Sequence, residues 1–346
     1  MTKLSTLVNA FTADEADNQL RQQLNSKNLV DFIAARLPTE AHPLEEVAAH
    51  HFKKPGKMLR AKMALRASHL LKVDKAAALH WAIAIEVLHN ASLIHDDICD
   101  GDQLRRGQSA VWSKYGRDIA LALGDWLIAL SFELAAEAAQ RSNTLLLVKL
   151  LAGHMKATTM GEAREFNVHG TCSWQDYLEI SADKTSPLFI APLEGAAAMA
   201  LHDVAANAIG KYFRCLGNAY QVANDIMNFQ GDDGAVSIGS DLNRRAPNAV
   251  IVIFREGLDD ISKVRFDNWF ASGSNDDHVE WQNKIISSTA INIAAIRMQE
   301  LINDSEHLSE KLPAELVEVV VPIQQMLQHE CQKSIGMVKS LRSSEL

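Results

Sequence analysis

The sequence predicts an all-α protein, and three observations carry that reading. Ala- and Leu-rich stretches with apolar residues at three- and four-residue spacing recur from end to end of the 346 residues. Pro and Gly are sparse, at 8 and 17, so little interrupts those helices. Aromatic and β-branched residues do not gather into the alternating runs that strands require. Apolar residues at 47% suffice for a large core, while length alone leaves one large domain or two open.

Charge and cysteine usage narrow the class. A net charge of −9 argues against nucleic-acid binding, which needs clustered Lys and Arg, yet leaves room for a local basic pocket. Cys99, Cys172, Cys215 and Cys331 show no CxxC spacing and read as reduced thiols of a cytoplasmic protein. The first twenty residues carry acids where a signal peptide has its apolar segment. The most apolar runs are broken by charge, such as Asp125 and Glu133, and read as buried helices rather than membrane spans.

Taken in order, residues 1–48 read as amphipathic helices with a packing or dimer-contact role. Pro55-Gly56 breaks the pattern before Lys57 and Arg60, which lie three apart near the start of the next helix. That end of a helix favours anions through its free N–H groups and dipole. A helix over about 76–95 follows, with Trp81, Ile85, Leu88, Ser92 and His95 along one face and His89 beside it. Asp96, Asp97 and Asp100 close it, and three carboxylates there repel one another and oppose the dipole, so a cation is expected to compensate. Oxygen ligands in that number suit Mg²⁺ together with substrate phosphates, and Arg105-Arg106-Gly107 adds guanidinium groups suited to phosphate.

Farther on, Glu162 and Glu165 mark the edge of a helix over 145–169, and either a polar edge or a cavity role fits them. Pro187 is expected to disturb the helix ending in Asp183-Lys184-Thr185-Ser186, exposing a Lys and a hydroxyl that could hold phosphate. A second polar stretch places Asn224, Asn228 and Asp232 on one stripe, with Asp225 adjacent and Gln221 one turn earlier, all oxygen donors. Residues 234–247 read as loop, with Asp241, Arg244 and Arg245 available. Two polar stretches on similar helices favour one bundle over 1–346 rather than two domains.

These motifs resemble the trans-isoprenyl diphosphate synthases of the polyprenyl synthetase family. Gly56-Lys57-Met58-Leu59-Arg60 resembles its GKxxR, Asp96–Asp100 with the Arg pair its first aspartate-rich motif, and Asp183–Phe189 its KT motif. The resemblance implies a single-domain, mostly α-helical bundle around a deep apolar cavity, usually a homodimer. It implies that Asp96, Asp97 and Asp100 bind Mg²⁺ bridging an allylic diphosphate, and that Arg105 contacts that diphosphate. Lys57, Arg60, His89 and Arg106 would hold isopentenyl diphosphate, with Lys184, Thr185 and Gln221 on the allylic side. Catalysis would rest on Asp96, Asp97, Asp100, Arg105 and Lys184, and the lipid-like product could bring the enzyme near membranes.

The chain departs from the family where Asn224-Asp225-Ile226-Met227-Asn228 stands in place of DDxxD. Metal ligands from Asn224, Asp225, Asn228 and Asp232 keep their oxygens, but each Asp→Asn removes a unit charge. A unit pair 4 Å apart is worth about 4 kcal/mol at a surface-like dielectric, so metal binding there is weakened. The family's downstream lysines are also missing, with Arg244 and Arg245 nearby. Asn224, Asn228 and Asp232 resemble the NxxxSxxxE triad of class I terpene cyclases, which makes a cyclase one alternative; a non-catalytic partner subunit is another. Ala91 and Ser92, five and four residues before Asp96, are small where short-chain family members carry aromatics. The expected product is therefore C20 or longer, with Leu88, Ile85 and Trp81 deeper along the wall.

Overall fold

The structure, a computed structural model, describes residues 26–39, 41–167, 171–201, 205–230, 238–325 and 328–329. Helices dominate. In chain order they are α1 (Ser26–Ala34), α2 (Glu45–Phe52), α3 (Leu59–Leu70), α4 (Lys75–Asp100), α5 (Val111–Tyr115), α6 (Arg117–Ser142), α7 (Leu146–Asn167) and α8 (Trp174–Thr185). Then come α9 (Pro187–Met199), α10 (Ala205–Gln230), α11 (Ser240–Arg244), α12 (Ala249–Glu256), α13 (Asp260–Ser272), α14 (His278–Ser287) and α15 (Ala290–Ser309), with a further helix over 314–325. Of the N-terminal segment, residues 1–25 lie outside the described part. Among the described residues the strands are β1 (Leu104–Arg105) and β2 (Gln108–Ser109), an antiparallel pair in the register Leu104↔Ser109. The described chain divides into two compact units, each assembled from separate stretches.

The first unit comprises residues 1–154, 190–206 and 313–322. Its core helix is α4, packed against α3 and α6. Asp74 starts α4 by accepting the Ala77 N–H at 2.8 Å, and Gly101, at φ +71°, stops it directly after Asp100. Ala82, Ile83, Ala84, Ile85 and Val87 are all fully buried, so α4 is surrounded on every side rather than amphipathic. Both α4 and α6 are long and apolar enough to cross a bilayer by length and composition, but 78% of that window in α4 is buried inside the protein. Trp81 packs flat on Gly195 of α9 and donates its Nε1–H to the Ala191 carbonyl at 3.2 Å. A Cβ at Gly195 would collide with the indole, so that glycine sets the approach.

The second unit comprises residues 155–189, 207–312 and 323–346. Its core gathers Phe254, Phe266, Trp269, Phe270 and Trp281 with the apolar faces of α10, α12 and α15. A Ser173–Asp176 capping box starts α8. Pro187 leaves α8 intact through Thr185: Ser186 N–H still reaches the Ala182 carbonyl, and the proline opens α9 instead. The expected loop over 234–247 contains α11, and residues 231–237 lie outside the described part.

Candidate active site

In the first unit the last turn of α4 carries three carboxylates with different fates. Asp97 is buried, and Arg105 of β1 grips its Oδ1 through Nε at 2.7 Å and through Nη2. Burial pushes the Asp97 carboxyl up while Arg105 draws it back, and the net direction is upward. Burial likewise opposes the charge of Arg105, but Asp97 prevails and keeps it raised. Asp97 Oδ2 is buried with no hydrogen bond among the described residues. Asp96 and Asp100, one turn apart, are half-buried. The hairpin that delivers Arg105 turns at Arg106 and Gly107, both at positive φ (54° and 69°), the geometry that suits a two-residue hairpin loop. A non-Gly residue there is strained, and the strain is held by a reciprocal strap: Arg106 Nη1 donates to the Lys54 carbonyl at 2.7 Å, and Lys54 Nζ donates to the Arg106 and Gly107 carbonyls.

Arg106 also belongs to a cluster of cations with Arg60 and Lys62. The Arg106 guanidinium passes over Gly56, whose φ of +79° is the left-handed geometry that favours glycine. Arg60 and Arg106 both act on His89, whose pKa burial and these cations hold well below the ordinary range. His89 is thus a neutral ring in a positive environment. Below them lies Glu86, which the sequence reading passed over. It is 2% exposed, accepts the Ala61 N–H at 3.0 Å, and has Arg60, Arg106 and Lys62 as its charged neighbours. Asn90 donates to the Glu86 carbonyl at 2.8 Å, and His51 Nε2 lies 3.0 Å from Asn90 Oδ1. A lone acid within a run of buried Ala, Ile and Val was the available signal for this network.

The second unit uses its polar residues differently. Lys184 forms ion pairs with Glu162 at 3.0 Å and Glu165 at 2.6 Å, so its charge is compensated locally, and Thr185 beside it is half-buried. Gly161 makes this approach feasible, since a Cβ there would collide with the Lys184 backbone. Asp183 next to it accepts from Arg164 at 2.5 Å and Arg214 at 2.8 Å. In the 224–228 stretch, Asp225 is 1% exposed and both its oxygens are taken. Oδ2 accepts from Tyr177 Oη at 2.7 Å and from the Ala249 N–H at 2.6 Å, and Oδ1 accepts from Gln221 Nε2 at 2.9 Å. Burial first, then Asp241, raises its pKa to about 7. Asn228 is buried and donates to Ser240 Oγ at 2.7 Å, at the start of α11. Asn224 alone of the three is half-buried.

Comparison with known proteins decides the family. The polyprenyl synthetase family model matches residues 41–286. The chain belongs to the polyprenyl synthetase family. It is therefore a prenyltransferase. The geranylgeranyl diphosphate synthase of Saccharolobus solfataricus is 29% identical over 267 residues, covering 73% of this chain and 79% of that one. The enzyme of the same name from Sulfolobus acidocaldarius is 30% identical over 245 residues, covering 68% and 73%. The crystal structure of a polyprenyl synthase from Caulobacter crescentus CB15, complexed with calcium and isoprenyl diphosphate, aligns with a TM-score of 0.78 at 24% identity over 92% of this chain and 97% of that one. That likeness concerns the fold, the all-α isoprenoid synthase fold.

A polyprenyl synthetase implies a divalent cation, and the two acidic stretches fit one unequally. At the first, hard carboxylate oxygens stand on one helix end, and Asp97 Oδ2 is left without a hydrogen bond. Among the described residues no three His, Cys, Asp or Glu side chains are gathered closely enough to hold a metal ion by themselves. The second stretch is more heavily engaged. Asp225 and Asn228 already hold hydrogen bonds to the backbone and side chains that start α11 and α12. Asp232 lies outside the described residues. Arg244 pairs with Asp241 at 2.8 Å, and Arg245 stacks 3.7 Å over Trp269 while donating to the Leu242 and Ser274 carbonyls. Of the wall residues, Leu88, Ala91, Ile85 and Trp81 are buried, and Ser92 is half-buried with its hydroxyl on the His89 carbonyl.

Two outcomes follow from this geometry. Asp225→Ala strands buried donors on Tyr177, Ala249 and Gln221 and is expected to cost roughly 3 kcal/mol, read as a lower urea midpoint at constant m-value. His51, almost fully buried, is held at a pKa of about 4 by desolvation first, against an ordinary 6.5. The unfolded chain binds that proton between the two values and the folded chain does not, so stability is lost as pH falls from 6.5 toward 4, by up to roughly 3 kcal/mol. His51→Gln keeps a donor for Asn90 and is expected to flatten the fall in Tm between pH 7 and pH 4.5; an equally steep fall would assign the acid sensitivity to another group.

Proposed function

We propose that this prenyltransferase is Mg²⁺-dependent and condenses isopentenyl diphosphate with an allylic prenyl diphosphate to give a longer polyprenyl diphosphate. The observation that carries the reading is the cation cluster of the first unit: Arg60 and Arg106 both bear on the neutral His89 and on Glu86, on the helix that the carboxylates end, and Lys57 lies two residues before α3. An enzyme that only ionises one prenyl diphosphate has no use for a second anion pocket of this kind. The cyclase alternative loses further support because Asn228, which its metal triad needs, is committed to Ser240 and Asp241.

In the proposed reaction Asp96, Asp97 and Asp100 would hold the cation that accompanies the allylic diphosphate, and Asp97 also keeps Arg105 oriented through its other oxygen. When bound, Mg²⁺ would neutralise charge developing on the departing pyrophosphate. The cations of the pocket fix the diphosphate of isopentenyl diphosphate, which holds its double bond toward the allylic carbon as the C–O bond there breaks. The new C–C bond forms from that double bond, and the proton lost from the isopentenyl unit goes to pyrophosphate. Lys184, Thr185 and Gln221 keep their allylic roles in this proposal, with the charge of Lys184 tempered by its two glutamates. Small residues at Ala91 and Ser92, together with relatives named geranylgeranyl diphosphate synthases, support a C20 or longer product. Only 44% of the apolar window of α6 is buried inside the protein, which supports a homodimer.

The direct test is incubation with radiolabelled isopentenyl diphosphate, Mg²⁺ and dimethylallyl, geranyl or farnesyl diphosphate in turn. Extension of at least one primer is expected, and its loss on adding a chelator. No product with any primer would refute the reading, and a rate increase in another synthase on mixing would support the partner-subunit role instead. Asp96→Ala is expected to lower turnover at least a hundredfold with the Tm little changed. Ala91→Phe should shorten the product seen by chromatography, and an unchanged length would remove Ala91 from the wall.

A further inference from the structure

We propose that Glu86 is a positioning residue of the cationic pocket, fixing the first turn of α3 and the guanidinium groups around it so that they bind the diphosphate of the non-allylic substrate. The inference rests on the functional reading above, which makes that pocket the isopentenyl diphosphate site.

The observation behind it is a helix start that lacks its own cap. Met58 precedes α3 at φ +53° and offers no side-chain acceptor, so the first N–H groups of α3 need a partner from elsewhere. Glu86 supplies it from α4, its Oε2 accepting the Ala61 N–H at 3.0 Å, one residue beyond Arg60. A carboxylate acting as a remote cap meets both the hydrogen-bond deficit and the positive end of the helix dipole. The same turn of α4 is tied to α2 through the Glu86 carbonyl, Asn90 and His51, so the carboxylate cannot move independently of the pocket wall.

Charge gives the second argument. Arg60, Arg106 and Lys62 are the cations whose charge bears on Glu86, and Lys62 is 1% exposed. Like charges crowded around a site with no buried counter-charge would turn toward solvent, because a guanidinium left without a partner in low dielectric is costly. The Glu86 carboxylate, itself 2% exposed, gives them a common buried counter-charge. Cations held by such a counter-charge meet an anion with less rearrangement. Removing that negative charge also raises the bare field of the pocket, which pulls in the opposite direction. Because the order of the pocket comes from the buried carboxylate, loss of positioning is expected to outweigh the gain in field.

Two variants separate position from charge. Glu86→Gln keeps an acceptor for Ala61 and removes the charge; Glu86→Asp keeps the charge and withdraws it from Ala61. Isopentenyl diphosphate alone, with no primer present, is titrated calorimetrically into wild type and variants, and KM values for both substrates are then measured. Each folded variant is expected to bind isopentenyl diphosphate at least tenfold more weakly, about 1.4 kcal/mol, while the KM for the allylic primer stays within twofold. A merely structural role would move both KM values together, and that result would overturn the proposal. Wild-type or tighter affinity in either folded variant would also overturn it. Failure of the wild type itself to bind isopentenyl diphosphate would refute the functional reading, and this inference with it.

Discussion

A carboxylate taken out of water among helices must find N–H donors or cations, and in this protein two such carboxylates organise what surrounds them. Glu86 accepts the Ala61 N–H near the start of α3, and Asp225 accepts the Ala249 N–H that opens α12. Neither helix start is left with an unmet donor at that position, and neither acid is left as an isolated buried charge. Each also recruits a second layer, Asn90 and His51 around Glu86, Tyr177 and Gln221 around Asp225. The elements that carry the chemistry are held at these two points.

The consequences differ because the two units spend their acids differently. In the first, the buried acid lies ten residues before the acidic helix end, so the structural duty falls on Glu86 and Asp96 and Asp100 stay half-exposed for other work. In the second, the structural duty falls on the acidic stretch itself. Asp225 is consumed in place, Asn228 holds the start of α11, and Lys184 is drawn to Glu162 and Glu165. Membership of the polyprenyl synthetase family makes the chain a prenyltransferase.

Much of the fold was legible in the sequence. The spacing of the apolar residues predicts α4 to about residue 95, and the structure carries it to Asp100, where Gly101 stops it. The all-α class held because no stretch of the described chain alternates long enough to form more than the two-residue strands of the hairpin. That hairpin itself was not legible: Arg106 adopts positive φ without being Gly or Asn, and only the strap to Lys54 makes the turn tolerable. The sequence predicts that Pro187 disturbs α8, whereas in the structure it opens α9, a position where its missing N–H is tolerated.

What the sequence by itself determined is therefore the inventory and its order: acids at a helix end, arginines just beyond, a Lys–Thr pair before a proline, and an altered polar stripe. Helical spacing is local, and local spacing is enough to say that Asp96 and Asp100 point the same way. Only the tertiary structure decided which of those groups remain available. Asp225 and Asp97 look alike in sequence, each an acid on an apolar helix, but their partners come from β1 in one case and from α8 and α12 in the other. Burial and hydrogen-bond satisfaction depend on residues remote in sequence. No spacing rule could therefore show that Asp225 serves the fold and that Glu86 underlies the pocket.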